Sequence, residues 1–235
     1  MRAVGKRAIR AVTLDLDDTL WPCEPTIMRA ERLALEWLTE RAPEVIAPWS
    51  IERLRERRMA IHAARPELGH DFRTIRRLAL EEVFREAGAD DAQSATIIEG
   101  SLDVYMAARH EVELYPEVRG CLERLSTRYR VASLSNGNAC LVTIGLDHLF
   151  HAMVASHSHG AAKPHPELFH IACRELGCAP EETVHLGDDI ELDVRGARSA
   201  GLHPVWLNRT GRSWPGDDVP DTVADLEAFE RWLSS

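Results

Sequence analysis

The chain has no apolar run long enough to cross a bilayer. Its basic opening, MRAVGKRAIR, is not followed by the apolar core of a secretion signal. Neither a membrane role nor a leader is expected. Cysteine is scarce: Cys23, Cys121, Cys140, Cys173 and Cys178 are odd in number and none forms a C-x-x-C pair. That argues against a disulfide framework or a zinc site and for a reducing compartment, the cytoplasm. Positive charge is also short. Lys and Arg total 28 against 38 Asp and Glu, a formal net charge of −10, which disfavours nucleic-acid binding and a basic membrane-surface role. A small anionic substrate stays compatible, because local field counts for more than net charge. Repeats and low-complexity tracts are missing, and nothing in the pattern specifies an oligomeric state.

What is there is 235 residues in two textures. From Pro25 to Glu113 the chain reads as helices. TIMRAERLALEWL sets Ile27, Ala30, Ala34, Trp37 and Leu38 on one face, and Pro43 and Pro48 bracket a break. IERLRERRMAIHAA and FRTIRRLALEEVFREAG are two more amphipathic helices, the second ended by Gly88, and a fourth is expected over 92–109. After Tyr115-Pro116, short apolar strands alternate with helices: VASLS at 131–135, AMVAS at 152–156, TVHLG at 183–187 and HPVWL at 203–207. The intervening helices are expected near 117–128, 139–146, 166–176 and 190–200, with a polar tail and a final short helix. Such alternation is the signature of βαβ units in a parallel sheet covered on both faces.

Before the helical region stands AVTLDLDDTLWP, whose Val12, Leu14 and Leu16 read as a buried strand running into Asp15, Asp17 and Asp18. Carboxylates this close repel one another, and burial raises the cost. An acidic strand-to-turn junction is the plain reading; a cation site is the functional one. In parallel α/β sheets, sites form at the carboxyl ends of strands. The other strand exits carry Ser135 to Asn138, Lys163 in AAKPHPELF, and GDDIELD from Gly187 to Asp193. Asp15, Asp17 and Asp188 converging on one point would need a hard, oxygen-ligated ion, above all magnesium. Thr19, Ser135 and Lys163 suit a phosphoryl group bound beside it. One carboxylate could then attack phosphorus and another shuttle a proton.

DLDDT, Ser-Asn at a strand end, Lys-Pro before a helix, and GDD…D followed by RGARSAG resemble, in order, the four motifs of the haloacid dehalogenase superfamily. The resemblance implies a Rossmann-like three-layer αβα core over 1–22 and 114–235, with an all-helical cap at 23–113. It implies Asp15 as nucleophile and Asp17 as general acid and base. Thr19, Ser135, Asn136 and Lys163 fall on phosphate-side positions. Asp188 is implied as metal ligand with Asp15 and the backbone carbonyl of Asp17, and Asp189 and Asp193 as outer carboxylates orienting metal waters or Lys163. LDLDDTLWPCEPTIMRAE, SNGN and GDDIELDVRGARSAG are further similar to bacterial flavin mononucleotide phosphatases, which also act on phosphorylated riboflavin precursors. A small phosphorylated metabolite is the implied partner.

Blander roles stand beside these. Thr19 also suits a turn hydroxyl, Asp18 a turn residue, Asp189 a helix N-cap, and Asp193 a solvated helix position. Trp21 could cover a leaving group or pack at a hinge. His70 and Arg73, in HDFR, could face a substrate, or Asp71 could simply cap the helix. His148, His151, His157 and His159 fit no zinc spacing and read as loop and packing residues. Arg53, Arg55, Arg57 and Arg58 read as a mostly solvated helix face. Hydrolytic dehalogenation is the rival reaction, but it has no use for an acid at Asp17. A phosphate-binding module without turnover is the second rival.

Overall fold

The computed structural model describes residues 9–235; the basic stretch at 1–8 lies outside the described residues. The chain divides into two compact units. One comprises the chain up to Pro22 together with Glu113–Ser235, and the other Cys23–Val112.

The first unit is built on six parallel strands in the order β3-β2-β1-β4-β5-β6. They are β1 Ala11–Leu14, β2 Arg130–Ser135, β3 Ala152–Ala155, β4 Thr183–Gly187, β5 His203–Leu207 and β6 Asp221–Val223. The first strand is central and shorter than its apolar pattern suggests: all four residues are buried, Thr13 included. A strand buried on both faces does not need alternation. The sixth strand was not expected. DTV lies in a polar tail, and only its pairing with β5, Val205 to Asp221, makes it a strand. The expected helix at 190–200 is instead a π-helical turn at Ile190–Arg195 followed by an α-helical turn at Gly196–Ser199. The segment near 139–146 forms helix only over Leu141–Ile144. Leu134, Val154, Leu168, Phe169, Ala172 and Ala197 pack into one buried cluster that fastens the Pro166–Leu176 helix to the sheet.

The register decides where chemistry can occur. Leu14 pairs with Ser133 on one side and Leu186 on the other. The strand order reverses direction at β1, so the carboxyl ends of β1, β2 and β4 surround the topological switch point, where α/β sheets bind ligands.

The second unit is helical: α1 Cys23–Arg41, α2 Pro43–Ile46, α3 Ile51–Ala64, α4 Phe72–Glu86 and α5 Asp91–His110. Ser50, Asp71 and Asp90 cap α3, α4 and α5 by accepting from the backbone N–H groups of Arg53, Thr74 and Gln93. Its core gathers Leu38, Ile46, Leu54, Leu80, Val83, Phe84, Ile98 and Leu102 from all five helices. No helix among the described residues is long and apolar enough to cross a membrane.

Candidate active site

The strand exits bring together most of the polar residues singled out above. Asp15 leaves β1 with its N–H bonded to Leu186 O at 2.9 Å. The Lys163 ammonium donates to Asp15 Oδ1 at 2.5 Å and to Asp193 Oδ1 at 2.6 Å. All three side chains are buried. Asp193 is therefore an anchor for Lys163 and not a solvated helix position. Its Oδ1 also accepts from His185 Nε2 at 3.1 Å, and its Oδ2 from the Asp189 N–H at 3.0 Å. With Nε2 protonated toward Asp193, His185 Nδ1 is the acceptor for the Thr13 hydroxyl at 2.8 Å.

One oxygen each of Asp15, Asp188 and Asp193 lies within 4.8 Å of the others. Lys163 and Arg212, whose Nη2 lies 3.5 Å from Asp188 Oδ2, are two cations against three carboxylates. Burial first, then the fields of Asp193 and Asp18, pushes Asp188 up to about 7. Asp15 is raised well above the usual carboxylate range, by burial against the opposing pull of Lys163. Burial would also raise Asp193, but Lys163 and the His185 bond outweigh it and hold it low. Burial disfavours the Lys163 cation, yet Asp15 and Asp193 hold it charged. His185 is lowered, chiefly by burial. A set of oxygen donors with surplus negative charge fits a hard divalent cation. With Asp193 committed to Lys163, His185 and Asp189, Asp15 and Asp188 are the carboxylates suited to hold one.

Asp18 adopts a left-handed φ of 58° and donates its N–H to Trp21 O at 2.8 Å, as a turn residue does. Trp21 is fully buried, and its indole Nε1–H donates to Asp17 Oδ1 at 2.8 Å. It orients the Asp17 carboxyl and does not present its ring to solvent. Thr19 is fully buried, and its hydroxyl has no hydrogen-bond partner among the described residues. Its O–H thus remains an uncommitted donor next to the acidic strand exit. Ser135 Oγ accepts from the Gly137 N–H at 2.9 Å, which leaves its O–H as a donor.

Asn136 does something the motif reading did not anticipate. Its Nδ2 donates to Lys163 O and its Oδ1 accepts from the Lys163 N–H, both at 2.8 Å. Its amide fixes the loop that carries Lys163. Asp189 caps the π-helical turn, its Oδ1 accepting from the Glu191 and Leu192 N–H groups. His70 and Arg73 belong to the helical unit. There Arg73 is ion-paired with Glu99 and Asp103, and Asp71 caps α4.

Sequence reasoning missed several supporting residues. His185 was legible in principle, as a polar residue inside the apolar run TVHLG. Gly187 is required because a Cβ there would lie 2.3 Å from Asp193 Cγ. Trp206 and Arg212 donate to the Asp188 carbonyl at 2.9 and 2.7 Å. Arg209 donates to Thr19 O and pairs with Glu117. The arginines lie in a tail whose sequence carries no motif.

A parallel sheet with an acidic, lysine-anchored site at its switch point defines a Rossmann-like α/β enzyme core. The chain belongs to the haloacid dehalogenase-like hydrolases, whose family model matches residues 9–201. It is 29% identical over 206 residues to the 5-amino-6-(5-phospho-D-ribitylamino)uracil phosphatase YigB of Escherichia coli (strain K12), covering 88% of this chain and 85% of that protein. It is also 29% identical over 229 residues to a glyceraldehyde 3-phosphate phosphatase of Methanopyrus kandleri, covering 92% and 93%. Among solved structures, a 2-haloacid dehalogenase from Pseudomonas syringae pv. Tomato DC3000 superposes with a TM-score of 0.88 at 33% identity, covering 95% of this chain and 99% of that one.

Proposed function

We propose that this phosphate monoester hydrolase uses magnesium and an aspartyl-phosphate intermediate, and that its substrate is flavin mononucleotide or a phosphorylated riboflavin precursor. The observation that carries the reading is the Lys163 ammonium, buried between Asp15 and Asp193 where the Asp188 carboxylate converges. Asp15 and Asp188, with the backbone carbonyl of Asp17, would hold the metal, which when bound neutralises phosphate charge.

The chain's own groups perform the transfer. Lys163 holds one oxygen of Asp15, leaving the other to attack phosphorus. The ester P–O bond breaks as the Asp15–phosphorus bond forms, and Asp17 gives its proton to the departing alkoxide. Asp17, now ionised, takes a proton from water. That water attacks the aspartyl-phosphate, freeing inorganic phosphate and restoring Asp15. Ser135, Thr19 and Lys163 are assigned to the phosphoryl oxygens. Selection among monoesters is assigned to the helical unit, with His70 and Arg73 as its candidate contacts.

The likeness to a solved 2-haloacid dehalogenase favours one second reading, displacement of halide from carbon by Asp15. A halide leaves without a proton, so Asp17 and the indole that orients it would have no task. The two curated relatives named above, which match along most of their length, are phosphatases, and this supports the phosphoryl reading.

The test is a panel of flavin mononucleotide, the ribitylaminouracil phosphate, sugar phosphates, an aryl phosphate and 2-chloropropionate, assayed with magnesium and after chelation. Phosphate release that needs magnesium and is most efficient on the flavin-type substrates is expected. Full activity after exhaustive chelation rejects the metal. Sugar phosphates preferred over flavin types reject the substrate. Halide release favours the second reading, and no turnover on any compound leaves a binding module.

A further inference from the structure

Within the helical unit, Glu31 of α1 lies between Arg58 of α3 and Arg76 of α4. Arg58 Nη2 donates to Glu31 Oε1 at 2.6 Å. Arg76 Nη1 donates to both carboxylate oxygens, at 3.2 and 3.1 Å, and its Nη2 to Oε1 at 3.2 Å. The Glu31, Arg58 and Arg76 side chains are only 5%, 13% and 12% exposed. The Arg76 guanidinium also stacks on Tyr105 of α5, 3.6 Å from the ring centroid. Arg55 brings a third positive charge to the neighbourhood, with its Nη2 3.3 Å from Met28 Sδ.

Two guanidiniums thus share one carboxylate in a largely dehydrated place. Other arginines of this unit are better matched: Arg73 faces Glu99 and Asp103, and Arg57 faces Glu82 and Glu86. The mismatch has a consequence. Burial first, then repulsion from Arg76, pulls Arg58 down to about 10, against an ordinary guanidinium above 12. A buried ion triad is also a poor way to hold helices together, since apolar side chains of similar volume are often at least as stabilising. Arg58 meanwhile keeps Nε and Nη1 donors with no carboxylate partner among the described residues.

We infer that Arg58 and Arg76 form an oxyanion-binding site in the helical unit, taking a carboxylate or a phosphate-type group, with Glu31 as its internal competing anion. An incoming anion restores charge balance and engages the guanidinium forks in the paired N–H···O geometry they favour. Glu31 holds the two guanidiniums in place when no anion is bound, while both remain partly exposed. All three residues belong to the helical unit.

The arrangement makes an unusual forecast: removing a carboxylate should improve binding. The arginine Nε–Hε resonances of the full-length protein are followed during titration with sodium sulfate and, separately, sodium acetate, at ionic strength held constant with sodium chloride. The expected result is a saturable shift of the Arg58 and Arg76 signals, lost in Arg58→Gln. Glu31→Gln, without the competitor, should bind the same anion about three- to tenfold more tightly, the size expected for deleting one nearby like charge. The anion that binds more tightly shows whether the carboxylate or the phosphate-type group is the natural partner. Identical responses in wild type and Arg58→Gln, or no saturation in the wild type, overturn the inference. Weaker binding by a folded Glu31→Gln does the same. If Glu31→Gln does not fold, the comparison of wild type with Arg58→Gln decides alone.

Discussion

Replacing Asp193 by Asn keeps the shape of a buried side chain and removes what its charge does. Asp193 is 1% exposed and accepts three donors, Lys163 Nζ and His185 Nε2 on one oxygen and the Asp189 N–H on the other. An amide has one acceptor oxygen and one donor nitrogen. With its oxygen toward Lys163 and His185, its NH₂ confronts the Asp189 N–H. Flipped, it confronts the lysine and the histidine. Either way a charge-assisted bond is weakened, about 1.5–3 kcal/mol, and at least one buried donor is stranded, about 1–3 kcal/mol. Together this is about 2.5–6 kcal/mol, which brackets the range of about 3–5 kcal/mol for breaking a buried ion pair. Thermal unfolding of the variant should fall by about 6–20 °C for a chain of this size. Lys163, left with Asp15 as its only carboxylate, closes on the nucleophile. Turnover of an aryl phosphate should drop on the order of 10²-fold, as for a misplaced reacting group. Urea unfolding and initial rates measure both. A variant within about 0.5 kcal/mol of wild type, a surface-like effect, and turning over at the wild-type rate would refute the anchoring role.

Asp15→Asn should reduce turnover to background while leaving the protein folded, as seen by circular dichroism. Asp17→Asn should lower turnover of alkyl phosphates about 10²–10⁴-fold and of aryl phosphates much less, because only the poor leaving group needs the proton; equal losses on both would argue for a structural task. Gly187→Ala drives a methyl into Asp193 and should destabilise the protein by about 1–3 kcal/mol, with a disproportionate fall in kcat over KM that a mere packing defect elsewhere would not produce. Because Asp188 is pushed up to about 7 and Asp15 is raised as well in the metal-free protein, divalent-ion affinity should weaken by about tenfold or more per pH unit as pH falls below about 7, with proton release seen calorimetrically at about pH 6. The same raised value makes the metal-free folded state lose stability as pH rises from the unfolded carboxyl range toward about 7; affinity that is flat from about pH 5.5 to 8 would contradict both statements.

The sequence by itself determined where chemistry could sit. Asp15, Asp17, Ser135 and Asp188 stand at the ends of apolar runs and Lys163 in the polar stretch after the third strand, and parallel sheets put ligands at the ends of strands whatever the details of packing. Helical periodicity likewise announced the insert between β1 and the rest, because amphipathic spacing is a local property. Tertiary structure decided what each polar group touches. Nothing local says that Asn136 serves the backbone of Lys163, that Trp21 holds Asp17, or that Asp193 gathers a lysine, a histidine and an amide. Trp21 and Asp17 are only four apart, but spacing alone does not say that the indole turns onto the carboxylate. Asn136 and Lys163 are 27 residues apart, Lys163 and Asp193 30, and Lys163 and Asp15 148, beyond the reach of pattern reading. β6 and the arginines of the tail were illegible for the same reason. DTV becomes a strand only when β5 is there to pair with it, and Arg209 and Arg212 acquire partners only once the sheet has closed around Thr19 and Asp188.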